Sequence, residues 1–373
     1  MSLLDTRTSN TLTVLRLPLA FLIVAGHSNI LMFPLMKGDM MIHYDSSFIK
    51  YPIHLLSQIL FTSSVPLFFI ISGYLFFIGL DKFDNSVYIV KIKKRIKTLL
   101  LPYLIWNAIY WIEPIIEYLI KGTERGILWY LECLWMVPSQ VDRITLMNMT
   151  TPIDPPLWFL RDLFVSMLLT PCLYYFLKNR YSGLIFVAVL FIPWFMDLPC
   201  MYPLPGISIP SLLFFSIGGY LSINKANIKF YLGSRQVLTT TVICLLLSAA
   251  AELMTFDYVV RGESSSLIHN HLIFKLCTLS GSLAYPTIAY GLIRDRNVSG
   301  NKWGGAFCVF AMHWLFLDFV KITVVRLVPV YISQLESFAI YFLLVFIGIT
   351  GSLIFYHIIR RNKFLLMLFA GGR

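Results

Sequence analysis

Leu12-Thr-Val-Leu-Arg16-Leu-Pro-Leu-Ala-Phe-Leu-Ile-Val-Ala-Gly-His27-Ser-Asn-Ile-Leu-Met-Phe-Pro-Leu35 is an almost wholly apolar run. It is long enough to cross a lipid bilayer, for which about 20 residues of helix suffice. Yet it holds a fixed positive charge, Arg16, and an imidazole, His27, eleven residues apart. Eleven residues make close to three helical turns, so on a helix the two side chains share one face, roughly 16 Å apart along it. Ionisable groups inside a span are costly and usually face a bundle interior or an aqueous cavity, where they serve function. That stripe is the candidate wall of an active site.

The rest of the chain agrees with a membrane setting. Of 373 residues, 58% are hydrophobic and only 13% charged, and the mean hydropathy is +0.75. Soluble domains carry about a quarter charged residues, so the composition excludes a large soluble core and implies a polytopic membrane protein. Thirty Phe and 20 Tyr suit lipid-facing surfaces and interfacial belts. The net charge of +11 is the mark of basic loops against anionic lipid rather than of nucleic-acid binding. Six scattered Cys show neither metal-ligand spacing nor a disulfide framework and read as small core residues. Nothing near the start resembles a cleaved signal peptide.

Apolar runs predict an all-α, polytopic membrane helix bundle of about ten spans forming a single integral-membrane domain over 1–373. The spans are 12–35, 54–80, 98–120, 157–177, 183–202, 207–223, 236–254, 270–293, 304–326 and 337–359, with a break expected at Pro193. With the N-terminus inside, nineteen of the thirty Lys and Arg fall in cytoplasmic loops, six in outer loops and five inside spans. The bias predicts N-in and C-in. The outer loop 121–156 carries an aromatic-rich piece, Ile127 to Val137, suited to the interface.

Several polar groups inside spans have ordinary explanations. Asp318 and Lys321, spaced i, i+3, can neutralise each other, and Arg161 and Lys275 near span ends can snorkel. Arg16 and His27 are harder to dismiss, because Arg16 cannot lose its charge. His313 lies midway along the ninth span. Lys91, Lys93, Lys94, Arg95 and Lys97 form the densest basic run, either a positive-inside anchor or a receptor for a polyanion such as cofactor phosphates. Trp158 is either a belt residue or a ring that stacks on a sugar. Phe68-Phe-Ile-Ile-Ser-Gly-Tyr-Leu echoes Phe214-Phe-Ser-Ile-Gly-Gly-Tyr-Leu, and the small residues there are expected to let helices approach closely.

Taken in order, these residues resemble the acyltransferase 3 family of integral-membrane acyltransferases. Arg16-x10-His27 is similar to its first-span signature, and Val65-Pro-Leu-Phe-Phe-Ile-Ile-Ser-Gly-Tyr to its second-span motif. Arg95 with Leu101-Pro-Tyr-Leu-Ile-Trp, Leu157-Trp-Phe-Leu, Phe214 to Leu221 and Ala311-Met-His313 follow in the family's order. One departure is a basic loop that is mostly Lys, where Arg-x-x-Arg is expected.

The resemblance implies a multi-pass protein of the bacterial plasma (inner) membrane that O-acylates cell-surface or lipid-linked glycans. It implies acetyl-CoA or another acyl-CoA as donor, and no metal. Its expected partners are the acyl-CoA, the saccharide acceptor and membrane lipid, with homo-oligomerisation open and no nucleic acid. On that basis His27, Arg16 and His313 are candidate catalytic residues. Arg16, Lys94, Arg95, Ser72 and Tyr74 are candidates for the cofactor, and Trp158 and Arg161 for the acceptor. A secondary transporter of a polar or anionic solute, using the same Arg and His, is the rival class.

Overall fold

A computed structural model describes residues 4–30, 35–37, 40–44, 50–80, 82–122, 126–137, 150–198, 201–260, 266–293 and 304–372. Cys200 and the basic residues Arg294, Arg296 and Lys302 fall outside these. Each of the ten apolar runs contains helix among the described residues. Among the described residues, seven helices are long and apolar enough to cross a membrane: Thr6–His27, Lys50–Phe77, Asn85–Lys121, Arg235–Met254, Leu272–Leu292, Ala306–Leu327 and Gln334–Ile359. An eighth span results if Pro155–Leu168 and Thr170–Leu177, bent by 64°, count as one, and Arg180–Phe195 and Ile209–Ile223 are shorter apolar helices. The protein is therefore an all-α, multi-pass membrane bundle.

Two local expectations are corrected. The first helix, α1 (Thr6–His27), ends at His27 instead of running on to Leu35. Arg180–Phe195 runs through Pro193 and stops two residues later. The bend in the fourth span comes instead from Pro171, which has no N–H to offer the Met167 carbonyl. The Thr170 hydroxyl donates to that oxygen at 2.7 Å in its place.

The chain divides into two compact units: Met1–Leu67 with Asn227–His357, and Phe68–Ala226 with Ile358–Arg373. In the first, α1 runs alongside α15 (Ala306–Leu327) in the same direction. Ala20 and Val24 cluster with Val309, and further along Ile30 clusters with Leu317, Val320 and Val324. The end of α1 lies inside the protein, so its last carbonyls need partners. Ser28 donates to Val24 O through its backbone N–H at 2.9 Å and its hydroxyl at 2.8 Å. Tyr341 OH donates to Ala25 O at 3.2 Å. Past that end, His43-Tyr44 pairs in parallel with Tyr331-Ile332.

In the second unit the two echoed octapeptides meet. A Cβ at Gly73 would fall on the Phe215 carbonyl oxygen, and one at Gly218 on the Ile70 carbonyl oxygen. Only glycine allows this backbone-to-backbone approach, the usual device where no water drives helices together. The third span, Asn85–Lys121, is about 55 Å long at 1.5 Å per residue, well over a bilayer core. Its first part, α4 (Asn85–Arg95), fully buries no residue: Lys91 donates to the Phe76 carbonyl, whereas Lys93 and Lys94 are exposed.

Candidate active site

His27 is the last residue of α1, and its neighbours in the first unit come from elements far apart in sequence. His27 Nδ1 lies 2.8 Å from His313 Nε2, and the two rings are nearly coplanar, 2° apart. Trp314 stands edge-on to His27 with ring centres 5.4 Å apart. Phe61 tilts against it at 5.8 Å. Phe61 reaches this position because residue 26 is glycine; any Cβ there would strike the Phe61 ring. Asn29, two residues on, donates to the Ser57 hydroxyl at 2.7 Å. Lys321 Nζ sits 4.9 Å from the centre of the Trp314 ring.

The hydrogen bonds assign the tautomers. His313 is fully buried, and its Nδ1 lies 2.8 Å from Phe310 O and 3.0 Å from Val309 O. Carbonyl oxygens only accept, so His313 carries its hydrogen on Nδ1 and, as a neutral ring, a lone pair on Nε2. The 2.8 Å contact then requires His27 to donate from Nδ1. That places the lone pair of His27 on Nε2. A base in a defined tautomer, oriented by a second buried group, is the arrangement that takes a proton from an alcohol.

Two π-helical segments border the candidate residues. One, Leu55–Leu60, leads directly into Phe61. The other, Ile96–Leu100, directly follows Lys94 and Arg95. Such turns are rare and concentrate at functional sites, because the widened ring redirects side chains. Lys94 is exposed, Arg95 half-buried, and Ser72, Tyr74 and Trp158 half-buried. Arg16, on α1, is half-buried and makes interactions of its own.

Arg161 is fully committed within the second unit. It is 3% exposed and donates to Asp162 Oδ1 at 3.0 Å, Trp135 O at 2.6 Å and Thr150 O at 2.9 Å. It holds the backbone carbonyls of Trp135 and Thr150 and does not snorkel to water. Sequence reasoning missed His54, which lies 3.3 Å from Glu252 in a buried pair of the first unit. It also missed Trp314 and Phe61, whose aromatic character is unremarkable in so aromatic a chain. Among the described residues, no group of three or more His, Cys, Asp or Glu is placed to hold a metal.

Comparison with known proteins adds the following. A sequence model described as an acyltransferase domain, Acyl_transf_3, matches residues 10–357. The chain is 29% identical over 268 residues to the succinoglycan biosynthesis protein ExoH of Rhizobium meliloti (strain 1021), covering 70% of this chain and 67% of that protein. No solved structure matches.

Proposed function

Since the chain belongs to the acyltransferase 3 family, we propose that this membrane acyltransferase moves an acetyl or other short acyl group from cytoplasmic acyl-CoA to a hydroxyl of a cell-surface or lipid-linked glycan. A relative that takes part in succinoglycan biosynthesis supports a glycan acceptor. The charge bias of the loops and the bacterial relative support the bacterial plasma (inner) membrane, with donor access from the cytoplasm.

The observation that carries this reading is the 2.8 Å contact between His27 and His313 and the tautomer it dictates. In the reaction, the acceptor O–H gives its proton to His27 Nε2 as the oxygen attacks the acyl carbonyl carbon. The thioester C–S bond then breaks, and the thiolate takes the proton from His27. His313, by accepting from His27 Nδ1–H, keeps Nε2 as the nitrogen that takes and returns the proton. A base held this way contributes about 10²–10⁴-fold. Arg16 supplies a fixed positive charge for the anionic donor. In the second unit, Lys94 and Arg95 take phosphate and Ser72 and Tyr74 supply hydroxyls. Trp158 offers a ring face to a sugar, and Arg161 shapes the acceptor's approach by holding its loop.

The test is transfer of label from radiolabelled acetyl-CoA to total cell glycan by a membrane fraction. Wild type is expected to label the glycan and His27→Ala to lose at least 10²-fold. Undiminished labelling by His27→Ala would overturn the role of the histidine. Absence of label with wild type, together with counterflow of an unmodified solute in proteoliposomes, would favour a transporter.

A further inference from the structure

Lys321 sits six residues before the end of α15, about 9 Å short of it along the axis. A lysine so placed in a span ordinarily stretches its stem toward the nearer interface and delivers its charge to water. This one does the opposite. Its ammonium turns back along the helix to lie 4.9 Å from the centre of Trp314, whose Cα is seven residues earlier, about 10 Å back along the axis toward the start of the helix. Trp314 is the ring that stands edge-on to His27. The Lys321 charge acts on both His27 and His313, and Asp318, one turn away, attracts it.

The face of this site therefore presents one ammonium, two imidazoles and one carboxylate, from Lys321, His27, His313 and Asp318. Phe61, Trp314 and Tyr341, which also pack there, bring no charge at neutral pH. A cation directed at a general base opposes the proton that the base must take up, since like charges repel strongly away from water. The Asp318 carboxylate offsets part of that repulsion, and negative charge forming beside both groups as the proton moves offsets more of it. Acyl transfer creates such a charge, on the carbonyl oxygen of the tetrahedral intermediate.

We propose that Lys321 is a catalytic residue that holds this oxyanion while His27 holds the acceptor's proton. The proposal rests on the reading of the protein as an acyltransferase with His27 as its base. As the acceptor oxygen bonds to the acyl carbon, the carbonyl electron pair moves onto oxygen beside the ammonium. When that pair returns, the C–S bond breaks and the thiolate leaves with the proton from His27. The Trp314 face keeps the ammonium turned inward between turnovers by cation–π attraction.

The test compares Lys321→Met, Lys321→Arg and His27→Ala in the glycan-labelling assay on purified, full-length protein. Lys321→Met is expected to lower kcat about 10²-fold, the usual effect of deleting one oxyanion donor. The KM values for donor and acceptor should stay within about threefold, since the charge acts on the transition state. Lys321→Arg should recover part of the rate. Should Lys321→Met not accumulate, Lys321→Cys restored by aminoethylation of the thiol, and not by neutral ethylation, gives the same answer, with treated wild type as control. Wild-type kcat in Lys321→Met, or equal rescue by both reagents, overturns the role of Lys321 while inactive His27→Ala leaves the acyltransferase reading standing. Full activity of His27→Ala overturns His27 as the base, and with it the role proposed for Lys321, while the transfer reaction itself stands.

Discussion

His27 and His313, 286 residues apart in sequence, meet nitrogen to nitrogen at 2.8 Å with their rings almost in one plane. The carbonyls of Val309 and Phe310 turn His313 so that its lone pair faces His27. His313→Ala removes the group that selects the His27 tautomer and is expected to lower kcat about 10²-fold with little change in KM. His313→Gln can present an amide oxygen to His27 Nδ1–H and should recover part of that loss. Equal kcat in the alanine and glutamine variants would mean that His313 only fills space.

Arg161 and Asp162 form an ion pair whose side chains are 3% and 2% exposed. Removing one partner leaves the other charged and buried, so Asp162→Leu or Arg161→Met alone should destabilise the protein by about 3–5 kcal/mol. The double variant should be milder than either single one, because no lone charge remains. Thermal unfolding in detergent, read as a double-variant cycle, measures the difference. Arg161→Met should also loosen Trp135 and Thr150, whose carbonyls it holds, and so make the loop more open to proteolysis.

The interlocked backbones at Gly73 and Gly218 predict a sharp contrast among glycines. Ala at either position places a methyl group against a carbonyl oxygen of the facing helix. A cost of about 1–3 kcal/mol is expected for each, seen as lower thermal stability and lower yield of extracted protein. Gly126→Ala, where a Cβ meets nothing within 4 Å and φ is −64°, should leave both unchanged.

The basic run offers a salt-dependent test. If Lys94 and Arg95 hold donor phosphates, Arg95→Ala should raise the donor KM about tenfold and leave the acceptor KM alone. Lys94, exposed on α4, should matter less, and its contribution should fade as salt shortens the reach of surface charge. Kinetics at low and high ionic strength separate the two.

Much of this architecture is legible in the amino-acid order, because lipid leaves the backbone few choices. Each apolar run such as Arg235–Met254 or Gln334–Ile359 must be helical, since nothing else satisfies its peptide groups. The close approach at Gly73 and Gly218 is also readable, from small residues in two matching octapeptides. The pairing of His27 with His313 is not, because no local period links residues on helices so distant in sequence. The π-helical segments are equally hidden, since they shift hydrogen bonds by one residue without a change of residue type. Arg161 looks like a snorkelling end-of-span cation, and only its bonds to the Trp135 and Thr150 carbonyls show otherwise. Lys321 was legible as half of an i, i+3 pair with Asp318, whereas its backward turn onto Trp314 depends on the chosen rotamer.

Beyond the two histidines, α1 and α15 continue into a cluster of Ile30, Leu35, Ile42, Leu317, Val320, Val324, Ile332, Ile340 and Leu344, all buried. A pair of proton-exchanging rings inside a membrane is a hazard to the cell, because a thread of water through it would short-circuit the transmembrane proton gradient. This aliphatic stopper offers water no hydrogen-bond partners, so it insulates the histidines along that seam. A polar residue at Val320 or Ile340 should therefore show itself first as a leak, with expressing cells losing membrane potential before glycan acylation falls.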